Sequence, residues 1–232
     1  MPIPLYSIKN LYIKNGNEER LCIKQFDIHR GACYVFDGPM GSGKTTFLDI
    51  LYSRRKIEQG KIKFEEKDIY SYSDQEYQEQ IAVVPQQFRP PWGTVRNYIL
   101  KTIRRYPHIK NPDKCLDEIT RKMNISSLLK RKIKSLTPGE LRWVALAANI
   151  AADTKVLFID EYEQHLGKEG LKKLNNILYR KINYDGITLI TSTQNKDLFS
   201  RLASITITLE NGRITSLRSY SKKKVKYRNK SR

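Results

Sequence analysis

The chain has 232 residues, 39% of them hydrophobic and 29% charged, and a formal charge of +19 from 43 Lys and Arg against 24 Asp and Glu. This composition supports a real core in one large domain, or a domain with a subdomain, and excludes a disordered chain. No uninterrupted apolar run approaches the roughly 18–20 residues that cross a bilayer, so no membrane-spanning helix is expected.

The N-terminal Met1-Pro-Ile-Pro-Leu-Tyr lacks a basic n-region and a long apolar h-region, so no signal peptide is expected. Cys22, Cys33 and Cys115 are odd in number and have no metal-ligand spacing. They read as reduced, mostly buried small hydrophobes in a cytosolic compartment. Residues 222–232 hold seven basic and no acidic side chains, which leaves +12 on the body. A charge of this size favours an anionic neighbour: phospholipid headgroups, RNA or an acidic partner subunit. A solvated basic tail is the other reading, and charge alone does not choose.

In chain order, residues 5–14 alternate as a strand, Asn15-Gly16-Asn17 marks a turn, and residues 21–28 form a second strand. Ala32–Phe36 is a short β-rich run expected to be buried, and apolar residues at helical spacing follow over Thr46–Tyr52. Gly60–Phe64 predicts a short strand, Asp74–Gln80 a helix with Ser73 as N-cap, and Ile81–Val84 an apolar strand. Pro90-Pro91-Trp92-Gly93 breaks the chain. Helical patterns then occupy about 95–105, 113–123 and 139–151. Strand character returns at 157–159 and 187–191 with a helix near 168–182 between them, and 205–209 turns at Asn211-Gly212 into a final hairpin. Strands alternating with helices predict an α/β fold around a largely parallel sheet.

Between the strand at 32–36 and the helix after it lie Gly38, Pro39, Met40, Gly41, Ser42, Gly43, Lys44, Thr45 and Thr46. They fit the phosphate-binding pattern Gly-x4-Gly-Lys-[Ser/Thr], in the required order of strand, glycine loop and helix. Glycines let the backbone wrap a polyphosphate with its N–H groups and the positive end of the helix dipole. Lys44 would reach the β- and γ-phosphates and the Thr45 hydroxyl a Mg2+ ion. Three further stations follow. Val83-Val-Pro-Gln86 is a strand-end glutamine leading into the helical stretch. Leu136, Thr137, Pro138, Gly139 and Glu140 open the helix at 141–150. The strand Val156–Ile159 ends in Asp160, which can hold Mg2+, and Glu161, which can polarise an attacking water as general base.

Over about residues 5–215 the sequence resembles the ATP-binding cassette (ABC) ATPases. The resemblance implies a P-loop NTPase (RecA-like) core with an N-terminal antiparallel β-subdomain and an inserted helical subdomain. The expected division is 1–88 and 151–218 for the core with its β-subdomain, 89–150 for the helical part, and 219–232 for a basic tail. Gly38–Thr45 matches the Walker A loop, Gln86 the Q-loop glutamine, 156–160 the Walker B strand and Glu161 the catalytic glutamate. Thr45, Gln86 and Asp160 are the implied Mg2+ residues. Residues 136–140 stand at the signature, usually Leu-Ser-Gly-Gly-Gln, which in the family acts on the ATP of a second, head-to-tail cassette.

Several positions depart from the family pattern. Gln194 replaces the usual histidine after Walker B; an amide can donate a hydrogen bond to phosphate but cannot shuttle a proton. Gly167 stands where the D-loop normally ends in aspartate. Thr137 keeps a hydroxyl, Pro138 removes a backbone N–H, and Trp143 stands where arginine is common, with Arg142 one place earlier. For the adenine-stacking aromatic, register favours Asn15 while Tyr12 is the nearest aromatic. His165 lies in the D-loop as an interface or surface histidine, or as a substitute on the γ-phosphate.

These features imply slow ATP hydrolysis with Mg2+ at a cassette dimer interface, with Glu161, Gln86 and Gln194 as catalytic residues. The expected protein is the ATP-binding subunit of a membrane system, peripheral on the cytoplasmic face, driving a separate transmembrane chain through Gln86 and the segment 88–98. The layout and Glu140 look most like the lipoprotein-releasing and cell-division type of cassette. The basic tail is expected near anionic lipid. The alternatives are a soluble ABC protein on RNA or ribosomes, against which the single cassette counts, and a regulatory scaffold or heterodimer half that binds ATP without turnover.

Overall fold

Four apolar residues in a row, Cys33 to Phe36, leave no polar face, so the strand they form has to be covered on both sides. This strand, β3 (Cys33–Asp37), is fully buried over those four residues. In the computed structural model, which describes residues 3–15, 18–87, 89, 91–199 and 201–220, β3 lies inside a six-stranded sheet. Its other strands are β6 (Ile81–Val84), β7 (Val156–Ile159), β8 (Thr188–Ser192), β9 (Ile205–Glu210) and β10 (Arg213–Ser219). The order is β10-β9-β3-β8-β7-β6, parallel throughout except for the antiparallel edge pair β9–β10. A second, antiparallel sheet has the order β2-β1-β4-β5, from β1 (Tyr6–Asn15), β2 (Glu18–Ile28), β4 (Gln59–Phe64) and the short β5 (Lys67–Asp68). Gly16, Asn17, Phe88, Pro90 and the basic stretch 221–232 lie outside the described residues, and with them the N-terminal turn and most of the tail.

Alternation along the central strands divides their side chains between two cores. Tyr34, Phe36, Phe158 and Ile190 point to one side, where they meet the apolar faces of β1, β2 and β4. Helix α1 (Lys44–Ser53) packs Phe47, Leu48, Ile50 and Leu51 into this same layer. Cys33, Val35, Leu157 and Ile159 point the other way, against the helices that fill the rest of the chain. These are α3 (Val95–Ile103), α4 (Pro112–Met123), α5 (Pro138–Ala151) and α6 (Lys168–Asn183). The short α2 (Asp74–Gln78) begins with the expected Ser73 cap, reinforced by a reciprocal bond from Glu76. Its Tyr77 hydroxyl donates to Leu51 O at 2.7 Å and meets the Tyr6 hydroxyl at 2.7 Å, so a buried polar group is fully paired.

The elements fall where the sequence predicts them, with boundary differences that have local causes. α1 starts at Lys44 rather than Thr46 because Gly43, left-handed at φ 101°, already forms the cap. α3 stops at Ile103, short of 105, because Tyr106 turns inward and its hydroxyl donates to Ile81 O at 3.1 Å. β8 begins one residue late because Ile187 N still closes α6 on Lys181 O at 3.3 Å.

The β9–β10 turn does more than reverse the chain. Gly212 (φ 74°) donates its N–H to Ser42 O at 3.1 Å and accepts from Cys22 N at 2.8 Å, so the hairpin tip is wedged between β2 and the glycine loop. A Cβ at Gly212 would stand 2.4 Å from Arg20 O. Gly186 has nearly the same φ, 73°, but open space around it. Gly186→Ala is therefore expected to cost only the left-handed strain, about 1–2 kcal/mol. Gly212→Ala should cost clearly more in thermal unfolding, and equal losses would mean that the tip is not seated as described.

Candidate functional site

Helix α1 has no acidic residue in its first turn and no side chain capping its end, which leaves its first N–H groups pointing into the loop. The loop itself is shaped by contacts that tolerate only glycine at two points. A Cβ at Gly38 (φ 142°) would meet Leu209 O at 2.1 Å, and one at Gly43 would meet Leu21 Cδ2 at 2.9 Å. Lys44 Nζ donates to Gly38 O at 2.6 Å and Pro39 O at 2.9 Å and reaches Ser42 Oγ at 3.4 Å, so the ammonium sits in the curve of the loop. Burial pulls its pKa below the usual lysine range, while Asp37, Glu161, Asp160 and Glu163 pull it back up. Pro39, Met40 and Gly41 form the exposed rim, and Thr46 lies beneath, taking a bond from Arg20 Nε at 3.4 Å.

The end of β7 comes up beside this loop. Thr45 Oγ1 donates to Asp160 Oδ1 at 3.3 Å across 115 residues of sequence. Asp160 is buried and takes a second, short bond from the Ser192 hydroxyl at the end of β8. The same Ser192 oxygen accepts from Glu161 N at 2.8 Å, so one hydroxyl orders both acids of the strand end. Glu161 needs that help because its backbone is left-handed, at φ 47°. Gln194 Nε2 donates to Glu161 Oε1 at 3.4 Å. A third acid holds the Gln194 loop: Glu163 Oε1 accepts from Thr193 Oγ1 at 2.9 Å and from Gln194 N at 3.0 Å. Its other oxygen is buried without a partner.

Gln86 lies two residues past β6, half-buried, and hydrogen-bonds none of the other site residues; the residue beside it is tied instead. Arg142, only 4% exposed, donates from Nη1 to Pro85 O at 2.6 Å and from Nη2 to Asp160 O at 2.7 Å and Glu161 O at 2.9 Å. Burial lowers its pKa to about 10, against the nearby carboxylates Asp160, Glu161 and Glu163, so it stays cationic at neutral pH. Trp143 points elsewhere and donates its indole N–H to Met123 O at 2.9 Å.

The stretch 137–140 opens the same helix, α5, one turn before Arg142. Thr137 is the N-cap, accepting from Glu140 N at 3.2 Å, while the Glu140 carboxylate accepts from Thr137 N at 2.9 Å and Thr137 Oγ1 at 3.1 Å. Glu140 also pairs with Arg131 at 2.7 Å, and these bonds, led by the one from the Thr137 backbone, hold its pKa below the usual range. Pro138 takes the first helical position, where its missing N–H costs the helix nothing. Gly139 lies under His165, with His165 O 3.1 Å from where a Cβ would be. The structure therefore gathers Lys44, Thr45, Asp160, Glu161 and Gln194 at one place and sets 137–140 apart from it.

Sequence patterns had missed Ser192, Glu163 and Arg142. Each carried a weak signal: a hydroxyl ending a buried strand, a third acid after Asp160-Glu161, and a charge inside a run of apolar helix positions.

For Mg2+, the donors present fit. A carboxylate and a hydroxyl 3.3 Å apart are hard oxygen ligands of the kind that ion takes. Among the described residues no group of three or more His, Cys, Asp or Glu could hold a metal alone.

A family model described as "ABC transporter" matches residues 23–163. The chain is 27% identical over 227 residues to the lipoprotein-releasing system ATP-binding protein LolD of Leptospira interrogans, covering 95% of each. It is 26% identical over 194 residues to the "Probable iron export ATP-binding protein FetA" of Escherichia coli, covering 84% of this chain and 86% of that one. A solved dimeric bacterial ABC transporter cassette shares the fold, with a TM-score of 0.82 at 21% identity over 92% of this chain and 98% of that one.

Two substitutions test the geometry. Ser192→Ala removes the hydroxyl shared by Asp160 and Glu161 and should weaken the Mg2+ affinity of the nucleotide-loaded protein roughly 10–100-fold. An unchanged Mg2+ titration would mean that Thr45 and the strand suffice. Arg142→Met leaves Pro85 O and Asp160 O without their donor, Glu161 O keeping only Gln164 N, and should lower stability in urea by about 2 kcal/mol.

Proposed function

The chain belongs to the ABC transporter family, and on that premise we propose that it is the ATP-binding subunit of a membrane system, hydrolysing ATP slowly with Mg2+ at a cassette dimer interface to drive a separate transmembrane chain. The observation that supports this most is the meeting of Thr45 with Asp160 in front of the Lys44 loop, with Glu161 and Gln194 alongside. In this reading the backbone of 38–46 cradles the polyphosphate, Lys44 neutralises the β- and γ-phosphates, and Thr45, Gln86 and Asp160 hold the ion. Mg2+, when bound, supplies charge neutralisation on the phosphate oxygens. Glu161 accepts the proton of the attacking water, and Gln194 orients the Glu161 carboxylate and donates to the γ-phosphate.

Two features favour slow turnover. Gln194 has no titratable nitrogen with which to pass a proton. Gly167, the N-cap of α6 with no side chain, brings no carboxylate to the dimer interface. The second cassette presents Thr137, Pro138, Gly139 and Glu140 to the phosphate. Because the Thr137 hydroxyl is engaged by Glu140, that capping bond has to yield or be shared when the dimer closes.

The division into a core (1–88 and 151–218), a helical part (89–150) and a basic end (219–232) belongs to the same proposal. α5 carries 137–140 at one end and Arg142 one turn later, so a movement of the helical part changes the pull on Pro85 and hence on Gln86. The segment from Trp92 to Tyr98, with Trp92 86% exposed, then receives the transmembrane chain on the cytoplasmic face. Among the described residues no helix is long and apolar enough to cross a membrane, so the spanning part has to come from elsewhere.

Mass in solution of Glu161→Gln, with and without ATP–Mg2+, is the direct test. Without its general base, a closed dimer should accumulate and the mass should double on adding nucleotide. A nucleotide-loaded monomer, binding being measured separately, would point to a heterodimer half or a scaffold instead.

A further inference from the structure

The charge of this protein is concentrated in two segments. Residues 89–134 contain thirteen Lys and Arg against only Asp113, Asp117 and Glu118, and 222–232 contain seven basic residues. Of the +19, therefore, +10 and +7 sit in these two segments, and the other three quarters of the chain carries +2.

The fold draws much of the first group together. Segment 93–96 runs against 129–133, with Val95 N on Arg131 O, Arg96 N on Leu129 O and Ile133 N on Gly93 O, each at 3.0 Å. This ladder sets the exposed Lys130 and Lys132 beside the start of α3. Along the outer stripe of α3, Arg96, Asn97, Lys101, Arg104 and Arg105 line a shallow groove of about 460 Å³ with Leu100 in its wall. One carboxylate serves the groove: Asp113 pairs with Arg96 at 2.6 Å and Arg104 at 3.7 Å. Among the described residues Lys101, Arg105, Lys130 and Lys132 have no ion pair. Like charges held this close repel one another, and a counter-charge from outside the chain relieves that repulsion.

We propose that the outer stripe of α3 and the edge at Lys130–Lys132 form a docking surface for the anionic headgroups of a membrane. The inference rests on the reading of the chain as the peripheral subunit of a membrane system, since the surface adjoins the Trp92–Tyr98 segment assigned to the transmembrane chain. A broad, shallow array of flexible cations suits a fluid headgroup layer, which demands charge but no fixed shape. It suits single-stranded nucleic acid less well. Such binders stack bases on open aromatic rings, and the exposed aromatic at this edge, Trp92, has the Lys134 ammonium over its ring, 3.2 Å from the centroid.

Sedimentation of the full chain with phosphatidylcholine vesicles, with and without phosphatidylglycerol, tests this. Binding is expected only with the anionic lipid. Lys101→Gln, Arg105→Gln, Lys130→Gln and Lys132→Gln, combined, should weaken it more than tenfold, each lost charge being worth up to about fivefold. The matched control is Lys9→Gln, Lys24→Gln, Lys61→Gln and Lys63→Gln on the exposed surface of the antiparallel sheet, which should change it less than about twofold. Absence of binding to anionic vesicles overturns the proposal, and so does an equal loss in the two variants, which would trace the effect to net charge or the tail. Displacement by RNA at concentrations far below those of lipid phosphate overturns it in favour of a nucleic-acid partner. ATP binding, measured without vesicles, separates failure of this surface from failure of the ATPase reading.

Discussion

The guanidinium of Arg142 is the point on which the arrangement turns. One side chain from α5 ties Pro85 at the end of β6 to Asp160 and Glu161 at the end of β7. Pro85 O and Asp160 O lie where strands finish and ladder bonding stops, so without this donor they would be buried acceptors with nothing to accept, while Glu161 O also takes Gln164 N at 3.1 Å. Their bonds to a cation are stronger than neutral ones and cluster at one planar group. The helical layer is thereby fastened to the chemistry by polar bonds as well as by apolar packing. Its position and the position of the two acids cannot vary independently.

Around that tie, the site is built by relays between strand ends. Parallel strands bring their C-terminal ends to the same edge of the sheet, and this edge is where β3, β7 and β8 release the glycine loop, the two acids and Ser192. Ser192 joins Asp160 to the Glu161 amide, and Glu163 joins that turn to Thr193 and Gln194. The loop carrying Gln194 is thus clamped by a carboxylate. The clamp holds the Gln194 backbone beside the Glu161 carboxylate, which its side chain reaches at 3.4 Å.

The distribution of charge follows the same division of labour. The sheets and the site are nearly neutral overall and have to hold a precise geometry. Residues 89–134 carry the cations, on a surface where exposed charges need no exact partner. Helix α3, for example, is held by its buried Val95, Ile99 and Ile103, with Thr94 as its cap. Its exposed face carries Arg96 and Lys101 and no acid.

The sequence by itself determined the order and type of nearly every element, because the buried strands are short apolar runs and the cap at Ser73 obeys a local rule. It also marked the glycine loop, Asp160 and Glu161 through local signals of spacing and flanking strands, while Gln194 entered only through the family resemblance. Arg142 looked like a misplaced arginine beside Trp143, because pattern matching compares positions and not directions. On the helix, one residue's shift turns a side chain by about 100°, and only packing decides that position 142 faces the strand ends while 143 faces Met123. Ser192 and Glu163 were hidden for a related reason. Their partners lie about 30 residues away in sequence, and a hydroxyl or an acid acquires such a partner only when the sheet closes. Thr137 and Glu140 reverse the lesson: they were read as groups for a phosphate, and the tertiary structure shows them bonded first to each other, because a helix end satisfies its own N–H groups before it meets a ligand.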